Sequence, residues 1–162
     1  AYDSARVRLI EQWKPRIAIV ARRWTMDRPG DLDELVAFLC QHADRVLLVE
    51  QPPEIARLKK RNLLPYLAYR HILPSEGERH YLPASDPRDA NRARALVRDL
   101  AARHPRCSVI PVHDIYARGD DVLALEGREA IYTDEDHLTT YGARLATSRF
   151  HEAIDAVLRE GP

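Results

Sequence analysis

The sequence lacks a long apolar run and has no excess of charge of either sign, since its 162 residues include 25 Lys and Arg and 25 Asp and Glu. A membrane-spanning helix needs about 20 mainly apolar residues, so no segment qualifies, and the N-terminus does not resemble a signal peptide. If the protein is exported or attached to a membrane, we expect the responsible segment to lie outside these residues. The formal net charge of zero gives no global attraction to nucleic acid or to anionic membranes.

Cysteine is scarce: Cys40 and Cys107 are the two in the sequence, and they fit no metal-binding spacing. Cys40 lies in an apolar helical pattern and Cys107 begins an apolar segment. We therefore predict two buried, small apolar side chains, with a disulfide between them as the alternative. Internal repeats and low-complexity linkers are also absent, so a single domain over residues 1–162 is predicted.

Short apolar segments alternate with amphipathic helical patterns. Strands are predicted at residues 16–21, 45–50 and 107–112, and helices at residues 4–13 (with Ser4 as its cap), from 31, from 85 and at 139–158. Short helices and a loop are expected in the polar region 54–85, and a hairpin or irregular segment in 114–131. This alternation predicts right-handed βαβ crossovers and a parallel sheet covered on both faces, which is a three-layer α/β/α fold.

The segment 132–145 near the C-terminus contains an acid–base pair, Asp134 and His137. His137 could take a proton from a nucleophile, and Asp134 could orient the ring and stabilise its charged form. The alternative is that the cluster only begins a helix, because Asp134, Asp136 and Thr139 are all good N-cap residues.

Ligand sites of parallel sheets lie beyond the C-terminal ends of the strands. Arg23 and Trp24 follow the first predicted strand, Glu50 ends the second, and His113 with Asp114 follows the third. We expect these residues and the Asp134–His137 pair to converge on one edge of the sheet.

The pattern Tyr132-x-Asp134-x-Asp136-His137-Leu138-Thr139-x-x-Gly142-Ala143 is similar to the last block of SGNH (GDSL-type) esterases and acetyltransferases. The subgroup it resembles is the extracytoplasmic SGNH domain of acyltransferase-family-three proteins, which O-acetylate surface polysaccharides. Residues 14–24 and 46–54 and the helix containing Asn91 resemble the same subgroup in order. The resemblance implies a flavodoxin-like SGNH sheet and covers nearly the whole chain.

The resemblance also implies a function. It is O-acyl, above all O-acetyl, transfer to a carbohydrate or polysaccharide, or hydrolysis from it, through an acyl-enzyme on a Ser-His-Asp triad. His137 would be the general base, Asp134 its partner, and Asp136 a more distant support. No metal or organic cofactor is needed. The implied partners are the carbohydrate acceptor, an acyl donor and a membrane acyltransferase domain, with no nucleic acid, in a periplasmic or other extracytoplasmic location.

Two features depart from the family pattern. Arg23 and Trp24 replace the Gly-x-Asn-Asp block that supplies the usual oxyanion donor. Arg23 could stabilise an oxyanion and Trp24 could pack on a sugar ring, and the alternative is a surface Arg and a core Trp. Thr139 stands where the family has Ser, which is a mild change because both residues cap helices.

The nucleophile is the larger departure, because Gly-Asp-Ser does not occur in the sequence. Ser4 follows an Asp but has no preceding strand, and a nucleophile elbow needs a strand–turn–helix context. We expect the first strand and the serine to belong to a segment outside this chain, which would leave an exposed sheet edge. The alternatives are a non-catalytic SGNH-like domain that binds glycan or protein, and a metal site at Asp134, Asp136 and His137.

Overall fold

The computed structural model describes residues 2–26, 29–56, 58, 62–72 and 76–160. The chain divides into two compact units. Unit 1 contains residues 1–51, 92–111 and 150–162, and unit 2 contains residues 52–91 and 112–149. Of the predicted polar region, residues 57, 59–61 and 73–75 lie outside the described residues. The single-domain organisation stays a prediction.

In chain order the helices and strands are α1 Tyr2–Trp13, β1 Ile17–Val20, α2 Pro29–His42, β2 Arg45–Val49, α3 Leu63–Tyr69, β3 Arg79–Pro83, α4 Pro87–Arg103, β4 Cys107–Ile110, α5 His113–Tyr116, β5 Ala117–Arg118, β6 Asp121–Glu126, β7 Glu129–Ala130, α6 Thr140–Leu145 and α7 Thr147–Arg159. Helices and strands alternate from α1 to β5, whereas β5, β6 and β7 follow one another without an intervening helix. Within the described part of the chain, no helix is long and apolar enough to cross a membrane.

Unit 1 contains a parallel sheet with the strand order β1-β2-β4. The central strand β2 is apolar on both faces, and its residues 46–49 are all buried. Helix α2 contributes Leu32, Val36 and Leu39 to the same hydrophobic cluster, in which Trp24 is also buried. Their spacing puts these side chains on one side of the helix. The predicted α/β class with a parallel sheet is confirmed.

Unit 2 contains an antiparallel sheet, in which β6 pairs with β3, β5 and β7. Of the two possibilities predicted for residues 114–131, a hairpin or an irregular segment, the structure has hairpin pairing, with β5 and β7 each beside β6. Gly119 and Gly127 at the turns have φ values of 62° and 58°, which favour glycine. Strand β3 was not predicted, because its single buried residue, Leu82, gives no alternating pattern.

Two helix predictions need correction. The helix predicted at residues 139–158 consists of two helices, α6 and α7, separated at Ala146. Ser4, predicted as a cap, lies inside α1, which begins at Tyr2. Neither boundary carries the Gly or Pro that marks helix ends in a sequence.

Candidate active site

Asp134 and His137 lie in a short loop of unit 2 that is closed by backbone pairing. Tyr132 and Leu138 form an antiparallel bridge, and the N–H of Thr133 donates to the carbonyl oxygen of His137 at 2.7 Å. The pairing reverses the chain between these positions. Side chains separated by three positions in the sequence can therefore meet.

The carboxylate of Asp134 contacts the imidazole of His137 directly. His137 Nδ1 lies 3.0 Å from both carboxylate oxygens. Asp134 Oδ1 also accepts hydrogen bonds from the backbone N–H groups of Asp136 at 3.1 Å and His137 at 2.9 Å. Two backbone donors therefore hold the carboxylate, and the carboxylate holds the ring.

The electrostatic environment sets the protonation of this pair. Burial of Asp134 acts to raise the pKa of its carboxyl group, but the backbone N–H groups of His137 and Asp136 and the His137 ring outweigh burial and lower the pKa. An ionised carboxylate only accepts hydrogen bonds, so His137 Nδ1 must carry the proton. Nε2 is then the basic nitrogen of the ring. The side chain of His137 is 75% exposed, so a reactant can approach it.

Asp136 is closer to His137 than the resemblance implies, since its Oδ1 lies 3.0 Å from the same Nδ1. Ligand atoms of Asp134, Asp136 and His137 all lie within 4.8 Å of one another. Ligand atoms bound to one zinc ion at about 2.0–2.2 Å would be roughly 3.3–3.6 Å apart, so these separations are compatible with a metal site as well as with a hydrogen-bonded cluster. In the hydrogen-bonded arrangement, Nδ1 has two carboxylate partners.

Hydrogen bonds to the backbone attach this loop to an earlier segment of unit 2. The hydroxyl of Tyr132 donates to the carbonyl oxygen of Pro53 at 2.7 Å, and both the bond and the ring are buried. The N–H of Ile55 donates to the carbonyl oxygen of Glu135 at 2.8 Å. The loop is thus fixed on both sides of Asp134.

Thr139 is the N-cap of helix α6, and its side chain accepts from the N–H of Gly142 at 3.0 Å. Its hydroxyl also donates to the carbonyl oxygen of Ala130 at 2.6 Å. Of the three predicted cap residues, Thr139 therefore caps this helix, whereas Asp134 and Asp136 contact the His137 ring. Capping and orientation of the imidazole are both present, on different residues.

Arg23 and Trp24 belong to unit 1. Trp24 is 0% exposed, and its Nε1–H donates to the carbonyl oxygen of Val49 at 2.8 Å. This burial supports the core alternative for Trp24, because a buried ring offers no face to a sugar. Arg23 is exposed and lies three residues after the end of β1, and its role at an oxyanion stays a prediction.

Comparison with known families matches residues 1–152 to the SGNH domain that is fused to AT3 domains. The chain belongs to this SGNH family. The predicted resemblance is therefore confirmed, and it covers the Asp134–His137 block and both units. No curated protein matches the sequence of this SGNH domain.

Solved structures share the fold at low sequence identity. The periplasmic domain of a lipopolysaccharide acetyltransferase from Salmonella ser. Paratyphi A matches with a TM-score of 0.66 and 13% identity, over 93% of this chain and 61% of that chain. A Streptococcus pneumonia protein named as a platelet activating factor matches with a TM-score of 0.50 and 13% identity, over 77% of this chain and 49% of that one. The SGNH domain described here thus spans 49% and 61% of the lengths of these two chains, which is less than two thirds of each.

None of the described serines of this SGNH domain directly follows a strand of the parallel sheet. Ser4 is inside helix α1, whereas the serine of a nucleophile elbow lies in a turn between a strand and a helix. Ser85 lies between strand β3 and helix α4, but β3 belongs to the antiparallel sheet of unit 2. Ser108 is within β4, Ser148 is within α7, and Ser75 lies outside the described residues.

Glu50 is a further candidate for a functional residue. Its burial was not predicted from the sequence. It directly follows β2, its side chain is 2% exposed, and its Oε1 accepts from Arg98 at 3.1 Å. A buried carboxylate requires such a partner. The signal that could have found it is a lone Glu at the end of an apolar strand, the usual place for ligand sites in this fold class.

Proposed function

We propose that this SGNH domain catalyses O-acyl transfer to a carbohydrate, or hydrolysis of an O-acyl carbohydrate, with His137 as the general base and Asp134 as its orienting partner. A serine would carry the acyl group as an ester. His137 Nε2 would take the serine proton during attack and return it to the leaving group. The acyl group would be acetyl, and water or a sugar hydroxyl would accept it in the second step.

The observation that carries this proposal is the hydrogen-bonded pair itself. The Asp134 carboxylate accepts two backbone hydrogen bonds and lies 3.0 Å from His137 Nδ1. The pair therefore needs little rearrangement before proton transfer, which is the condition for efficient general-base catalysis. The similarity to a lipopolysaccharide acetyltransferase domain supports the same reaction class.

We further propose that the nucleophilic serine comes from a segment outside the 162 residues and follows a strand that pairs with β1. Strand β1 is at the edge of the sheet formed by the described residues. A groove of about 720 Å³ lies beside it, lined largely by apolar residues of α1, β1 and α2, among them Val7, Ile10, Ile19 and Phe38. Ile19 is 45% exposed there. Exposed apolar edges of this kind favour pairing with another strand.

The same family membership leads to proposals about location and partners. The family occurs fused to AT3 domains, so we propose that the domain works beside a membrane acyltransferase domain. An extracytoplasmic location follows from that arrangement, as for the periplasmic Salmonella domain. The acyl donor would reach the serine from the membrane side, and a polysaccharide would be the acceptor.

The proposal is tested by hydrolysis of an aryl acetate. The 162-residue chain is compared with a version that is extended N-terminally from its gene, and both are combined with His137→Ala. We expect activity in the extended protein and a loss of kcat/KM of at least about 10³-fold in its His137→Ala variant, as for other triad members. His151→Ala is the matched control, since this exposed histidine lies on helix α7.

The possible outcomes distinguish the proposed function from its alternatives. Activity in the 162-residue chain would contradict the external serine and make Ser4 a candidate again. Full activity of the extended His137→Ala variant would contradict the triad. A folded extended protein with no esterase or transferase activity would favour a glycan- or protein-binding domain. Equally strong hydrogen-exchange protection of β1 in both proteins would contradict pairing of the added strand with β1.

A further inference from the structure

Two thiols of unit 1 lie close together at a point where a helix ends and a strand begins. Cys40 is in the last turn of α2, and Cys107 is the first residue of β4. Their Sγ atoms are 3.3 Å apart, and both side chains are half-buried. The triad proposed above uses neither of them.

The backbone around the pair is held by several hydrogen bonds. The guanidinium of Arg106 donates to the carbonyl oxygen of Cys40 at 2.8 Å, and the N–H of Cys107 donates to the carbonyl oxygen of His104 at 2.8 Å. Cys107 is also in register with Val46 of the central strand. The two sulfur atoms are therefore held near each other by ordered elements.

We propose that Cys40 and Cys107 form an intramolecular disulfide that joins helix α2 to strand β4. A disulfide bond is about 2.05 Å long, so the sulfur atoms must approach each other by little more than 1 Å from their 3.3 Å separation. Small rotations of two side chains can supply this movement. The bond would close a loop between positions 67 residues apart.

The oxidant would be an external disulfide, such as glutathione disulfide or an oxidised dithiol protein. The Cys40 thiolate attacks one sulfur of the external disulfide and releases one thiolate, which leaves a mixed disulfide on Cys40. The Cys107 thiolate then attacks Cys40 Sγ and releases the second thiolate. Two protein thiols are oxidised, their two protons pass to the two released thiolates, and one external disulfide is thereby reduced to two thiols.

The surroundings favour this order of attack. Burial, together with the contact with Cys40, raises the pKa of the Cys107 thiol to about 12. A thiol with a raised pKa is a poor first nucleophile. Once Cys40 carries the mixed disulfide, proximity compensates for the small thiolate fraction of Cys107. Disulfides persist in oxidising compartments, which agrees with the proposed extracytoplasmic location.

The test is oxidation of the purified 162-residue chain by glutathione disulfide, followed by denaturation, alkylation with iodoacetamide and intact-mass measurement. We expect a monomer in which neither thiol is alkylated and a cross-linked peptide containing Cys40 and Cys107. The melting temperature should rise by about 5–15 °C on oxidation, since the loop closed is long. In Cys40→Ser, the melting temperature should not respond to the oxidant.

Three outcomes would overturn the proposal. They are alkylation of both thiols after prolonged oxidation, a disulfide-linked dimer as the main product, and glutathione attached stably to both cysteines. An internal disulfide without a rise in melting temperature would contradict the expected stabilisation by the bond between α2 and β4. The measurements do not use catalytic activity, so they are independent of whether His137 acts as a general base.

Discussion

In unit 1 the central strand and helix α2 meet through aliphatic and aromatic side chains, whereas in unit 2 the loop around Asp134 is held by hydrogen bonds to backbone carbonyl groups. The cluster of unit 1 has ten buried members, and they are all apolar: Trp24, Leu32, Val36, Leu39, Ala43, Val46, Leu48, Ala93, Val97 and Leu100. In unit 2, backbone and side-chain donors reach carbonyl oxygens on either side of the acid–base pair. Apolar packing tolerates shifts, but hydrogen bonds fix positions, and a catalytic pair needs fixed positions.

Substitution of glycine by alanine should have the largest difference in effect on stability between Gly142 in unit 2 and Gly30 in unit 1. A Cβ at position 142 would overlap the backbone carbonyl of Ile131, which cannot move aside as a flexible side chain could. We expect Gly142→Ala to reduce the free energy of unfolding by about 3 kcal/mol or more and to lower the melting temperature by about 6–12 °C. Thermal unfolding measures both values.

Gly30→Ala is the matched control, because a Cβ at position 30 meets nothing within 4 Å. Gly30 lies in the first turn of α2, so alanine should leave stability unchanged or raise it by less than about 1 kcal/mol. Equal losses in the two variants would mean that the close approach at Gly142 is not what holds helix α6.

Trp24 in unit 1 and Tyr132 in unit 2 allow a direct comparison of the two units, since each is a buried aromatic residue that donates to a carbonyl oxygen. Trp24→Phe removes the N–H and part of the ring volume, so we expect a loss of about 3 kcal/mol. Tyr132→Phe removes only the hydroxyl and leaves the Pro53 carbonyl oxygen without this donor, so about 1–2 kcal/mol is expected. Urea unfolding of both variants measures these losses.

The Tyr132→Phe substitution should also affect catalytic activity. In the extended, active protein, Tyr132→Phe should lower kcat, because its hydroxyl fixes the loop that holds Asp134. Tyr66→Phe is the control, since Tyr66 is half-buried in α3 and has no hydrogen bond from its hydroxyl in the described part of the chain. A larger stability loss in Tyr132→Phe than in Trp24→Phe would contradict the stated difference between the units.

The same difference explains which features the sequence could predict. Strand β2 and helix α2 were predictable because apolar runs and helical spacing are local patterns that reflect burial directly. Strand β3 was not, because it is defined by pairing with β6, about 40 residues further along the chain, and carries one buried residue. Non-local pairing leaves little trace in a short segment.

The candidate site was predictable to a similar, partial degree. Asp134 and His137 could be paired from their spacing, since both lie in one loop. The direct contact of Asp136 with the same Nδ1 depends on how tightly the loop is closed. That closure comes from donors such as the N–H of Leu63, which bonds the Thr133 carbonyl oxygen from a distant position in the sequence. A motif cannot encode such a donor.

Substitutions of Thr139 measure how much the hydrogen bonds of a single side chain contribute to the stability of unit 2. Thr139→Ala removes the cap to the Gly142 N–H and the bond to the Ala130 carbonyl oxygen, so a loss of about 1–2 kcal/mol is expected. Thr139→Ser keeps the hydroxyl, so its free energy of unfolding should fall by only about a few tenths of a kcal/mol. If the serine variant were as unstable as the alanine variant, the methyl group rather than the hydroxyl would matter. Urea unfolding of both variants decides this.

The smallest expected effect concerns pH. The hydrogen bond from Arg79 lowers the pKa of Glu126 from its ordinary 4.5, against the effect of burial, and Tyr141 adds a second hydrogen bond. A carboxyl group whose folded-state pKa is lowered stabilises the protein above its ordinary pKa, and this stability is lost as the pH falls through the lower value. Glu126→Gln should therefore flatten the loss of stability on acidification from about pH 5 to pH 3, by less than about 1 kcal/mol.

Urea midpoints across this range measure the effect, with the exposed Glu129→Gln as the control on the neighbouring strand. The control should follow the wild-type slope, because Glu129 has no described hydrogen bond to Arg79 or Tyr141. Identical slopes for all three proteins would mean that the Arg79–Glu126 contact contributes nothing measurable in solution. In that case the Arg79–Glu126 pair would behave as an ordinary solvent-screened ion pair, whereas the buried hydrogen bond from Tyr132 to Pro53 would keep its effect because it is shielded from water.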